Sequence, residues 1–107
     1  MTNDEARSEF AALWPGGQSG VEPIDPVSRP KTLDGKTIAF IWDYAFRGEE
    51  IFPVVQDAIA SKFDGVNFVG HDVFGSTFGG DEHEVLRRLP ERLREHSVDA
   101  VVSGIGC

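Results

Sequence analysis

Residues 37 to 42, Thr-Ile-Ala-Phe-Ile-Trp, are an almost unbroken apolar run of strand length. That pattern suits a strand covered on both faces, and so a parallel sheet flanked by helices. The chain downstream supplies the remaining parts. Between Gly48 and Phe63, Ile51, Val55, Ile59 and Phe63 recur every four residues and make one face of a helix. Pro53 fits that helix only because it falls in the opening turns. Gly65 closes it, and Val66 to Val69 reads as a second strand running into Gly70-His71-Asp72. A flexible loop is expected over Gly75 to Gly80. Asp81, with Glu84 three residues on, resembles a capping box before a second helix, whose stripe is Val85, Leu86, Leu89 and Leu93. Pro90 is expected to kink or divide that helix. Val98 to Val102 is the third strand. The order β-α-β-α-β, with crossovers long enough for parallel pairing, predicts a three-stranded α/β half-domain over residues 37 to 107.

Residues 1 to 36 follow a different pattern. Glu5 to Leu13 reads as a short helix with Phe10, Leu13 and Trp14 on its apolar side, ended by Pro15-Gly16-Gly17. Pro15, Pro23, Pro26 and Pro30 then favour an extended arm, and Val21, Ile24 and Val27 suit it to wrapping a partner. The turn Leu33-Asp34-Gly35-Lys36 leads into the first strand.

Three strands make a thin sheet, and no helix follows the last of them. A second chain is therefore expected to complete the domain. A formal charge of -8, with 10 Lys and Arg against 18 Asp and Glu, excludes the clustered basic surface that nucleic acid requires. The amino terminus lacks the basic and apolar regions of a secretory signal, and no apolar run reaches the roughly 20 residues of a membrane span. These features point to the cytoplasm, where the single cysteine stays reduced.

In a parallel sheet every strand delivers its carboxyl end to one edge. Asp43 and Tyr44, His71 and Asp72, and Gly104 to Cys107 are therefore expected to gather there. Cys107 beside His71 would begin a nucleophile pair, because the thiolate is the reactive form and an imidazolium lowers its pKa. The plainer alternatives are a small buried hydrophobe for Cys107 and a surface histidine for His71. Asp43 is a further acid-base candidate. As neighbours on a strand, His71 and Asp72 would point to opposite faces and so would not hold one ion. Gly104 and Gly106, flanking Ile105, would let backbone amides approach a substrate. Without a third glycine and an ensuing helix, this Gly-x-Gly does not imply a dinucleotide. Tyr44 and Phe74 are the expected substrate-binding side chains; Trp42 with Phe46, Phe52, Phe68, Phe74 and Phe78 could line a hydrophobic pocket, with Phe74 to Gly80 as a mobile loop above it. Core packing is the default alternative for the aromatics. Arg87, Arg88, Arg92 and Arg94 read as a solvated helix face pairing with Glu84, Glu91 and Glu95.

The run Pro30-Lys31-Thr32-Leu33-Asp34-Gly35-Lys36-Thr37-Ile38, then a βαβ unit, then Val98-Asp99-Ala100-Val101-Val102-Ser103-Gly104-Ile105-Gly106, resembles the UGSC-like proteins. In that family a Leu-Asp-Gly-Lys turn opens the first strand, and a Gly-x-Gly strand end precedes a selenocysteine or cysteine followed by Gly-Ser-Cys. The resemblance spans residues 26 to 107. It implies a thiol or selenol site at the end of a parallel strand, with a more distant likeness to the selenoprotein components of amino-acid reductases. The chain departs from the family at Cys107, which stands just before the characteristic tetrapeptide.

The resulting expectation is a subunit of a heteromeric, thiol-dependent enzyme acting on a small molecule. A partner would supply the downstream loop, helix and cysteines. Cys107, with those partner cysteines, would suit iron, cobalt or zinc. The chemistry would be redox, or a metal-assisted hydration or lyase reaction. The rival expectation is a non-catalytic scaffold or regulatory subunit that stabilises a catalytic partner.

Overall fold

A computed structural model describes residues 16–17 and 20–106 of the chain. The expected helix over 5 to 13 and Cys107 lie outside the described residues. The elements are β1 (Thr37–Trp42), α1 (Gly48–Lys62), β2 (Asn67–Val69), a 3-10 turn (His71–Val73), α2 (Glu82–Glu95) and β3 (Ala100–Gly104). All three strands are parallel, in the order β2-β1-β3. The chain is thus an α/β fold built as β-α-β-α-β.

β1 is apolar from Ile38 to Trp42 because it is the central strand and both its faces are covered. Phe40 and Trp42 pack with Phe52 and Val55 of α1 on one side. Ala39 and Ile41 pack with Phe74, Leu89 and Leu93 on the other, beneath α2. The opposite placement of the helices follows from the strand order: the first crossover runs from β1 to β2, the second back across β1 to β3. A shared right-handed sense then puts the two helices on opposite faces. The turn into β1 closes with Lys36 N–H donating to the Leu33 carbonyl at 3.0 Å, and Gly35 takes the positive φ of 68°.

Several local expectations change. The second helix has no capping box: the Asp81 side chain caps nothing, and Glu84 turns instead to Arg87. Pro90 does not divide it in two, since α2 runs unbroken from Glu82 to Glu95. Pro90 lies on the exposed side, where water can satisfy the carbonyl that it leaves without a donor. Leu86 faces outward rather than into the stripe. Arg92 is half-buried and donates from Nη2 to the Val73 carbonyl at 2.8 Å, so it is not part of a purely solvated face.

β3 begins later than Val98 because residues 98 and 99 form the junction. Val98 N–H bonds the Leu93 carbonyl at the helix end, and Asp99 N–H bonds the Thr37 carbonyl at 2.8 Å. The Asp99 carboxylate takes the Thr37 N–H in return, at 2.9 Å. Val101 and Ser103 pair with Ala39 and Ile41, on the α2 side of the sheet. α2 does not reach them: both are exposed, Val101 at 42%.

Residues 20 to 31 form no helix or strand, and Val21, Ile24 and Val27 are exposed along them. Among the described residues no helix is long and apolar enough to cross a membrane.

Candidate functional site

The loop leaving β1 shapes the carboxyl edge of the sheet. Tyr44 and Phe46 have φ values of 61° and 60°, a left-handed conformation uncommon in bulky residues. The tight loop they form is fixed from within. Asp43 Oδ1 accepts the Ala45 N–H at 3.1 Å, and the Trp42 indole N–H donates to the Ala45 carbonyl at 2.8 Å. Gly48 lets α1 begin directly over that indole, because a Cβ there would run into the Trp42 ring.

The loop stacks the Tyr44 ring on Trp42, with centroids 4.4 Å apart and planes at 18°. From there the Tyr44 hydroxyl reaches His71 Nδ1 at 3.2 Å. The His71 ring meets Trp42 and Tyr44 edge-on at 5.0 and 5.3 Å. Three rings from the ends of two adjacent strands thus form one cluster. His71 opens the 3-10 turn instead of continuing β2, so the strand argument that set it and Asp72 on opposite faces does not apply.

Beside this cluster lies a cleft of about 240 Å³ on the α1 face. Phe40 of β1 lines it together with Glu49, Phe52, Pro53 and Gln56 of α1. Gly70, His71 and Asp72 line the opposite side, and Gly48 completes the first turn of the helix. Phe40 and Phe52 are in ring contact at 5.1 Å. Sequence reasoning named Phe52 on the helix side of this cleft but missed Glu49, Pro53 and Gln56 beside it. The signal was present: Glu49, Phe52, Pro53 and Gln56 stand at i, i+3, i+4 and i+7, a second face beside the one through Ile51 and Val55.

The expected gathering of site residues occurs as two separate groups. Tyr44 and His71 meet on the β1–β2 side. Asp43 joins the β1–β3 side, where its Oδ1 also accepts the Ile105 N–H at 3.0 Å and its own N–H donates to the Gly104 carbonyl at 3.1 Å. Asp43 is therefore a clamp between strand ends, its Oδ1 accepting from two backbone donors. Ile105 packs into the Phe40–Trp42–Phe52 cluster, and its amide is engaged by Asp43 instead of open to a ligand. A Cβ at Gly104 would meet only the Phe52 ring at an ordinary 3.7 Å, and one at Gly106 would meet nothing. Neither glycine is required by close approach.

Cys107, the expected nucleophile and metal ligand, follows Gly106 and lies outside the described residues. β2 and β3 flank β1, so the strands that lead to His71 and to Cys107 lie two strand spacings apart, roughly 10 Å sideways, and β2 ends level with Ala39 whereas β3 ends level with Trp42. Among the described residues no group of three or more His, Cys, Asp or Glu side chains could hold a metal ion.

Phe74, expected at the pocket, is 7% exposed and packs with Ala39 and Ile41 on the opposite face from the cleft. The loop after it is tied to the end of β1. Thr77 N–H bonds the Trp42 carbonyl at 3.2 Å, Ser76 pairs with Trp42 in a parallel bridge, and Ser76 Oγ also bonds Phe78. This is a fastened segment beside β1, not a flap over the cleft. In comparisons with known proteins, no family model, curated protein or solved structure matches this chain.

Proposed function

We propose that the chain is one subunit of a thiol-dependent enzyme acting on a small molecule, and that it contributes the acid-base wall of the site. The observation that carries this reading is the Tyr44–His71 hydrogen bond at the edge of a cleft floored by Phe40 and Phe52. A concave, mainly apolar site with a few converging polar groups is the usual form of a small-molecule site. When Nδ1 is unprotonated, the Tyr44 hydroxyl donates to it and Nε2 carries the imidazole proton; protonation at Nδ1 reverses that bond. The pair can therefore take up or deliver a proton without moving, which is what general acid-base work needs.

Cys107 supplies the thiol in this reading. Support comes from its place after the Gly104-Ile105-Gly106 strand end and from the resemblance to UGSC-like proteins. A second subunit would cover Val101 and Ser103 on the side that α2 leaves open and bring further cysteines. Such thiolates, with Cys107, would suit iron, cobalt or zinc. The scaffold reading has one observation in its favour: that same exposed strip of β3 would suit a partner without any chemistry of its own.

A fragment screen by NMR on the isotopically labelled full chain separates the two. The enzyme reading expects small aromatic and polar fragments to concentrate at the cleft and to shift His71, Gly70 and the Trp42 indole together. Fragments that scatter, or that collect only along β3, would leave the scaffold reading in its place.

A further inference from the structure

The cleft is lined asymmetrically in charge. Its apolar surface is Phe40, Phe52 and Pro53; its polar lining is Gln56, His71 and two exposed acidic residues, Glu49 from the first turn of α1 and Asp72 from the 3-10 turn. No lysine or arginine is among its lining residues, and neither carboxylate has a basic partner among the ion pairs of the described residues. Gly70 keeps the Asp72 side chain close: a Cβ at position 70 would lie 2.6 Å from its Oδ1. An aromatic floor with two acidic residues in the same lining suits a cation with an apolar body. The nearly buried rings offer an apolar contact, and carboxylates accept hydrogen bonds from an ammonium group. An anionic ligand would meet like charge from both residues.

We infer that the cleft binds a small organic amine in its protonated form, with its apolar part against Phe40 and Phe52 and its ammonium group toward Glu49 and Asp72. This rests on the reading of the cleft as a small-molecule site and adds the charge class of the ligand. A volume of about 240 Å³ limits the bound part to roughly the size of one substituted ring.

Three probes of nearly equal size test it: benzylamine, protonated at pH 7, benzyl alcohol and benzoate. Each is titrated into the labelled full chain, and shifts are followed at Gly70, His71 and the Trp42 indole. Benzylamine is expected to bind at least about fivefold more tightly than benzyl alcohol, with benzoate weakest. Glu49→Gln and Asp72→Asn should each weaken benzylamine roughly two- to fivefold, as for partly exposed charge pairs, and leave benzyl alcohol unchanged. Added salt should erode the preference. Benzoate binding as tightly as benzylamine, or a preference that survives the double substitution, overturns the inference while the small-molecule reading stands. If none of the three probes shifts these residues, both fall.

Discussion

Asp43 Oδ1 accepts the Ile105 N–H across 3.0 Å and the Ala45 N–H across 3.1 Å, so one carboxylate holds the end of β3 against the loop that leaves β1. An aspartate at a strand end looks catalytic in sequence because that is where α/β sheets do chemistry. Here its Oδ1 is engaged by two backbone donors. Asp43→Ala leaves two part-buried N–H groups without partners and should lower stability by about 1–3 kcal/mol. Asp43→Asn keeps the Oδ1 acceptor and should lose less than half of that. Urea unfolding of the full chain, followed by circular dichroism, measures both. Equal losses in the two variants would show that the negative charge itself matters.

Gly48 fixes a second relationship, between the start of α1 and the Trp42 ring beneath it. Gly48→Ala forces the helix or the indole to shift, an overpacking that typically costs about 1–3 kcal/mol. Trp42 fluorescence should move to longer wavelength as the ring is displaced toward water. An unchanged spectrum with unchanged stability would mean that the helix start relaxes freely.

The charge pairs of α2 make a prediction about pH. Hydrogen bonding to Arg87 holds the Glu84 carboxyl below the ordinary glutamate range and raises the Arg87 guanidinium. Because the folded value is the lower one, the pair's contribution is present above the unfolded glutamate pKa and fades as pH falls through the folded value. Both groups are fully exposed, so the effect on global stability should be small. Glu84→Gln should flatten the acid limb of the stability curve slightly and leave neutral pH nearly unchanged. A large loss at neutral pH would contradict this.

The fold was largely legible in the sequence because β1, α1 and α2 each carry the pattern their burial demands. The run Thr37–Trp42 is apolar because two layers cover it, and Leu89 and Leu93 face the sheet as their spacing implies. What escaped was short or non-periodic. Three residues at His71–Val73 are too few to show a helical period, so the turn looked like the end of a strand. Phe74 looked like a pocket residue because nothing local says which face of the sheet it will meet. The division of the site into a Tyr44–His71 side and an Asp43–Ile105 side depends on β1 lying between its neighbours, a fact of strand order that no local pattern encodes. The Asp43 clamp did have a local cue: aspartate bonding the backbone two residues on is a common turn device.

The central relationship is the bond between the Tyr44 hydroxyl and His71 Nδ1. Nitrogen-15 shifts of the His71 imidazole, measured in the full chain and in Tyr44→Phe at one neutral pH, test it most directly. The pair predicts a Nδ1 shift in the wild type that marks a hydrogen-bonded nitrogen and that moves toward the value of a solvent-exposed histidine in Tyr44→Phe, while Nε2 changes less. Identical Nδ1 shifts in the two proteins would mean that the bond is not formed in solution, and would contradict the acid-base wall.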